Sequence, residues 1–193
     1  MTNKKKSPWT LHNIILVALI AIFSGIIFWG AGFLYTALTV ALTPIGIAPF
    51  ANDILMGLWT MAGPLTGYLI KTFGSAFLGE FLGSAVEVFL GGQWGAGAFI
   101  SGIVQGVGSE LGFALTGYKK YGWLGLNLSI LTTVVITFAW DIIKNGYGHY
   151  APLMIIGLFI TRYISTFIFG GLLTKAITNM LDRSHISVST NNN

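Results

Sequence analysis

Residues 11–42 read LHNIILVALIAIFSGIIFWGAGFLYTALTVAL, an apolar run with no Asp, Glu, Lys or Arg. A bilayer's hydrocarbon core demands such a stretch, since about 20 apolar residues cross it as a helix. Lys4, Lys5 and Lys6 precede the run, as in a secretory signal. The run is, however, roughly twice the 7 to 15 residues of a signal's hydrophobic region, and no small-x-small cleavage site ends it. The expectation is a retained membrane helix.

Five more apolar segments follow, at 54–70, 73–90, 96–117, 123–143 and 152–181. The breaks between them carry turn chemistry: Thr43-Pro44-Ile45-Gly46 with Pro49, Gly91-Gly92-Gln93-Trp94-Gly95, the Gly117 to Gly122 stretch, and Asn145-Gly146-Tyr147-Gly148 before Pro152. The break at 71–74 is the shortest. The pattern predicts an all-α integral membrane protein, a bundle of six transmembrane helices. Residues 1–183 form one membrane domain and 184–193 a short polar tail.

Composition agrees. Of 193 residues only 16 are charged, 8%, against about 25% in a soluble domain. With 54% hydrophobic residues and a mean hydropathy of +0.76, the chain cannot cover a water-facing surface, so a soluble globule is excluded. The pI near 9.4 does not point to nucleic acid: residues 4–6 form the only run of three basic residues, and the aromatic residues lie in apolar stretches. Lacking cysteine, the chain has no disulfide framework, thiolate metal site or thiol nucleophile.

Six spans put both termini on one face. Lys4, Lys5, Lys6, Lys71, Lys119, Lys120, Lys175 and Arg183 fall there and only Lys144 on the other, which by the positive-inside rule makes the first face cytoplasmic. Gly79-x-x-x-Gly83, Gly102-x-x-x-Gly106 and Gly108-x-x-x-Gly112 carry the small-residue spacing that lets helix backbones approach closely. No phosphate-binding glycine motif occurs, so the chain supplies no nucleotide chemistry of its own. No serine hydrolase elbow, no His-Glu-x-x-His and no clustered histidines are present, so neither an enzyme, a metal site nor a bound cofactor is expected.

Function then rests on ionisable residues within the spans, each costly in lipid and therefore turned to the bundle interior or an aqueous cavity. Depth at about 1.5 Å per residue places Asp53, Glu87 and Asp141 near one outer mouth, and Glu80, Glu110 and Arg162 deeper. Arg162 is expected to pair with Glu80 or Glu110 as a structural clamp. Around the outer acids lie Trp59, Trp94, Trp140 and Tyr147 as candidate ring contacts, with Gln93, Gln105 and Asn145 as hydrogen-bonding partners. Rings beside uncompensated carboxylates suit a flat, positively charged ligand. Competing readings are interfacial anchoring for the rings, pairing of Asp141 with Lys144, and helix capping by Asn52 or Asp53. Glu87, with no basic residue within a turn, is the strongest ligand candidate.

Gly79-Glu80, Val86-Glu87, the stretch Gly102-Ile103-Val104-Gln105-Gly106-Val107-Gly108-Ser109-Glu110, Trp140-Asp141 and Arg162 together resemble the YkoE-type substrate-binding (S) components of energy-coupling factor (ECF) vitamin transporters. The resemblance implies capture of thiamine or its hydroxymethylpyrimidine precursor, with uptake depending on a transmembrane coupling (T) subunit and two cytoplasmic ATPases. It also implies docking on the T subunit through small residues of the first helix, for which Ala18, Ala21 and Gly25 are the candidates. The rival expectation is a self-sufficient secondary transporter in which Glu80 or Glu110 carries protons, although no inverted repeat is visible.

Overall fold

The computed structural model describes residues 9–183; Lys4, Lys5, Lys6, His185 and the polar tail lie outside them. Every regular element within that range is helical: α1 Leu11–Leu42, α2 Phe50–Trp59, α3 Ala62–Ile70, α4 Ser75–Phe89, α5 Gly97–Leu115, α6 Trp123–Lys144, α7 Pro152–Thr166 and α8 Leu173–Arg183. Short 3₁₀ turns at Thr43–Ile45 and Tyr147–His149 join α1 to α2 and α6 to α7, and a π-helical turn at Phe167–Leu172 makes α7 and α8 continuous. Thr10 starts α1, its hydroxyl accepting from the Asn13 N–H, and Pro152 sits in the first turn of α7, where a missing N–H costs nothing.

Among the described residues, four helices are long and apolar enough to cross a membrane: Leu11–Ile45, Gly97–Leu115, Trp123–Lys144 and Pro152–Arg183. The third apolar segment yields only the 15-residue α4, about 22 Å long at 1.5 Å per residue. The second begins earlier than expected, at Phe50, and is broken into α2 and α3. Pro64 accounts for the break: it has no N–H to give the Thr60 carbonyl, and its ring crowds that carbonyl.

Glu80 and Glu110 are held at helix starts, and their expected pairing with Arg162 is not made. Glu80 Oε2 accepts from the Gly63 N–H at the start of α3 (2.7 Å). Glu110 accepts from the Gly74 N–H (2.7 Å) and the Phe77 N–H (3.1 Å) at the start of α4. The first turn of a helix presents unpaired N–H groups and the positive end of its dipole, so a carboxylate there is satisfied without a cation.

The surface is apolar where lipid would touch it, with Phe23, Phe33, Phe89, Leu153 and Ile160 exposed, while seventeen polar or charged residues among those described are buried. The glycine motifs lie at helix contacts. A Cβ on Gly25 would fall 2.5 Å from Val86 Cβ and 2.6 Å from the Gly83 carbonyl, and one on Gly108 would fall 2.8 Å from Thr133 Cα. Hydroxyls join the same interfaces: Thr132 Oγ1 donates to the Gly108 carbonyl (2.7 Å) and Ser129 Oγ to the Ser109 carbonyl (2.8 Å). The same packing involves two of the three expected docking residues. Ala21 and Gly25 are buried, Gly25 against α4, and only Ala18 remains exposed.

Candidate functional site

A cavity of about 400 Å³ lies at the end of the bundle where α1, α4 and α6 finish and α2 and α5 begin. Of the described Lys and Arg residues, Lys71, Lys119, Lys120, Lys175 and Arg183 lie toward the opposite end, and Lys144 lies at the cavity end. The volume is that of a small-molecule site. Eight of the nine residues chosen from the sequence line it: Trp59, Glu87, Trp94, Gln105, Trp140, Asp141, Asn145 and Tyr147. Tyr35, Thr39, Asn52, Met56, Ser84, Ser101 and Thr137 also line it and were not among the candidates. A signal existed for the first two: Tyr35 and Thr39 are four residues apart, on one face of the last turns of α1.

The ninth, Gln93, does not line the cavity. Its Nε2 donates to the Gly32 carbonyl (2.9 Å) and its Oε1 accepts from Thr36 Oγ1 (3.2 Å). These bonds tie the α4–α5 loop to α1 and hold the neighbouring Trp94 edge-on to Trp59, with ring centroids 5.0 Å apart and planes at 89°. Tyr35 completes the cluster, 5.5 Å from Trp94 and 5.9 Å from Trp59. The Trp59 N–H is already committed to the Phe28 carbonyl (3.1 Å), leaving that ring for apolar contact.

Arg162 holds the polar side of the cavity from behind its lining. Fully buried, it donates from Nε to Asp53 Oδ1 (2.5 Å) and from Nη2 to Asp141 Oδ2 (2.5 Å). The reason lies in helix geometry: side chains lean toward the N-terminus of their own helix. Arg162 on α7 therefore reaches toward the cavity end, whereas Glu80 on α4 leans toward the opposite end. Asp53, expected at the mouth, is fully buried in this network. Around it Asn145 Nδ2 donates to Asp141 Oδ1 (2.7 Å), and Asn52 Nδ2 lies 3.1 Å from both Asp141 Oδ2 and the Tyr147 hydroxyl. The Tyr147 hydroxyl donates to Asp53 Oδ2 (2.9 Å). Burial, and after it the charge of Asp53, push this phenol well above its ordinary range, so it stays a donor.

Glu87 differs from Asp141. It is buried, lines the cavity, and its Oε1 has no hydrogen-bond partner among the described residues. Gln105 lines the cavity from α5; with its amide nitrogen turned toward the acceptors around it, it donates to the Trp59 carbonyl (3.1 Å) and to Glu80 Oε1 (3.3 Å). The wall thus joins an aromatic cluster, an Asp141 already paired with Arg162, and an unmatched Glu87. No group of three or more His, Cys, Asp or Glu residues among the described residues is placed to hold a metal ion.

An apolar-surfaced helical bundle with a small-molecule cavity at one end is a multi-pass membrane protein with a ligand site. Residues 12–136 match the family described as the permease component of ABC-type cobalt transport systems, and the chain belongs to that family. It is 29% identical over 173 residues to the putative HMP/thiamine permease protein YkoE of Bacillus subtilis (strain 168), covering 90% of this chain and 84% of that protein. A crystal structure of an S-component of an ECF transporter superposes with a TM-score of 0.85 at 27% identity, covering 92% of this chain and 88% of that one. These relatives are transport proteins, not enzymes, and they bear out the resemblance to YkoE-type S components.

Proposed function

We propose that this chain is the substrate-capturing S component of an ECF importer for thiamine or its hydroxymethylpyrimidine precursor, and that it binds the vitamin in the 400 Å³ cavity. The observation that carries the reading is the unmatched Glu87 Oε1 in an aromatic wall: a carboxylate buried without a partner is costly unless a ligand supplies a charge or donor. Thiamine offers a cationic thiazolium and an aminopyrimidine, and both rings can lie against Trp59, Trp94, Trp140 or Tyr147. The name of the Bacillus relative supports this chemistry. Cobalt, named in the family description, suits the wall poorly, because its lining is aromatic, amide and hydroxyl rather than imidazole or clustered carboxylate.

In this reading α2 and α3 together form one broken crossing and α4 a short one, giving six crossings with both termini cytoplasmic and the cavity facing outward. A T subunit and two ATPases supply the energy, and Ala18, exposed on α1, is the docking candidate that remains. Titration calorimetry of the purified chain with thiamine and with the hydroxymethylpyrimidine tests the reading. Saturable binding of one or both is expected, and heat of dilution alone for both would overturn it.

A further inference from the structure

Six buried side-chain atoms have no hydrogen-bond partner among the described residues, and three of them belong to residues lining the cavity: Thr39 Oγ1, Glu87 Oε1 and Trp140 Nε1. They come from three different helices, α1, α4 and α6. Much of the remaining polar wall is already committed. Asp141 accepts from Arg162, Asn52 and Asn145, the Trp59 N–H goes to the Phe28 carbonyl, the Tyr147 hydroxyl to Asp53, and Thr137 Oγ1 to the Thr133 carbonyl. Buried polar groups are almost always paired, so the unpaired three mark what a ligand must supply.

Their chemistry is directional. An ionised carboxylate only accepts, an indole N–H only donates, and a hydroxyl does either. We infer that Trp140 and Thr39 are specificity-determining residues: Glu87 takes a donor or positive charge on the ligand, Trp140 Nε1 donates to an acceptor on the same ligand, and Thr39 fills whichever role is left. The inference rests on the small-molecule reading above and deepens it. It adds a hydrogen bond to a ring otherwise assigned only stacking, and it moves Asp141 from ligand contact to a positioned wall group. A ligand with donors alone, such as an aliphatic diamine, leaves the Trp140 N–H unmatched. An aminopyrimidine satisfies both demands, because its exocyclic amine donates beside ring nitrogens that accept.

The test uses the full chain in detergent micelles, titrated with thiamine and with two analogues in which one or the other pyrimidine nitrogen is replaced by C–H. Trp140→Phe is expected to weaken thiamine binding about five- to tenfold, the range of one hydrogen bond with a stranded ligand acceptor. One analogue is expected to lose about as much on the wild-type chain and nothing further on Trp140→Phe. Thr39→Val is expected to weaken thiamine by about two- to fivefold. A folded Trp140→Phe chain with wild-type affinity, or losses from variant and analogue that multiply, overturns the inference while leaving the vitamin reading in place. Should Trp140→Phe not fold, equal affinity of the wild-type chain for thiamine and both analogues overturns it instead. A wild-type chain that binds neither thiamine nor the hydroxymethylpyrimidine removes the vitamin reading and this inference with it.

Discussion

Arg162 and Asp141 meet at 2.5 Å through Nη2 and Oδ2, although Asp141 lies near the end of α6 and Arg162 ten residues into α7. The long side chain, leaning toward the start of its helix, closes the depth between them. The second acid, Asp53, takes the Nε of the same guanidinium, so one buried cation holds two carboxylates from α2 and α6 and ties three helices together.

Breaking that clamp strands buried charge. Asp53→Ala, which removes the partner with no exposure at all, is expected to destabilise the folded chain by about 3–5 kcal/mol. Thermal unfolding in detergent should show a clearly lowered midpoint; a midpoint within a degree or two of wild type would show that the pair does not support the bundle.

Glu87→Gln removes the unmatched charge but keeps the shape. Thiamine binding is expected to weaken by about 1.5–3 kcal/mol, the value of a hydrogen bond to a charged group. Calorimetry measures it, with melting checked alongside. Unchanged affinity in a folded variant would remove Glu87 as the ligand's counter-charge.

Glu80 and Glu110 both accept from backbone N–H groups at helix starts, a structural role that accounts for each without proton transport. Reconstituted alone in liposomes with an imposed proton gradient, the chain is expected to give no concentrative uptake. Uptake should appear once a T subunit, ATPases and ATP are added. Gradient-driven uptake by the chain alone would favour a secondary transporter.

Gly25 lets α1 close on α4, where any Cβ would meet Val86 Cβ and the Gly83 carbonyl. Gly25→Val is expected to cost about 1–3 kcal/mol by overpacking, read as a lower melting midpoint. Ala18→Val on the exposed face should leave melting unchanged and weaken co-purification with a T subunit. Normal complex recovery would dismiss Ala18 as a docking residue.

Gln93→Ala should free the α4–α5 loop from α1, since both amide bonds to Gly32 and Thr36 are lost. Faster hydrogen exchange at residues 90–96 is expected, together with weaker ligand binding as Trp94 loses its support. Unaltered exchange would show that ring packing alone holds the loop.

Periodicity and charge scarcity made the apolar segments, the all-helical class and the glycine contacts legible, because those signals are local: a charge-free run and a four-residue glycine spacing mean the same in any bundle. The aromatic and acidic residues of the cavity were legible too, since estimated depth along each helix put them at one end. Their partners were not. Whether Glu80 faces a cation or a helix start depends on where Gly63 lies, and the Pro64 break sets that position.

The sequence by itself determined a multi-pass helical chain, which residues could not face lipid, and the family resemblance. Only the tertiary structure decided that Arg162 binds Asp53 and Asp141, that Glu80 and Glu110 cap helices, that Gln93 pins a loop, and that Glu87, Thr39 and Trp140 have atoms unpaired among the described residues. The physical reason is that pairing of buried polar groups depends on azimuth and side-chain lean between helices distant in sequence, Asp53 and Arg162 being 109 residues apart. Composition and spacing specify a helix's depth and faces, but not which neighbour each face meets.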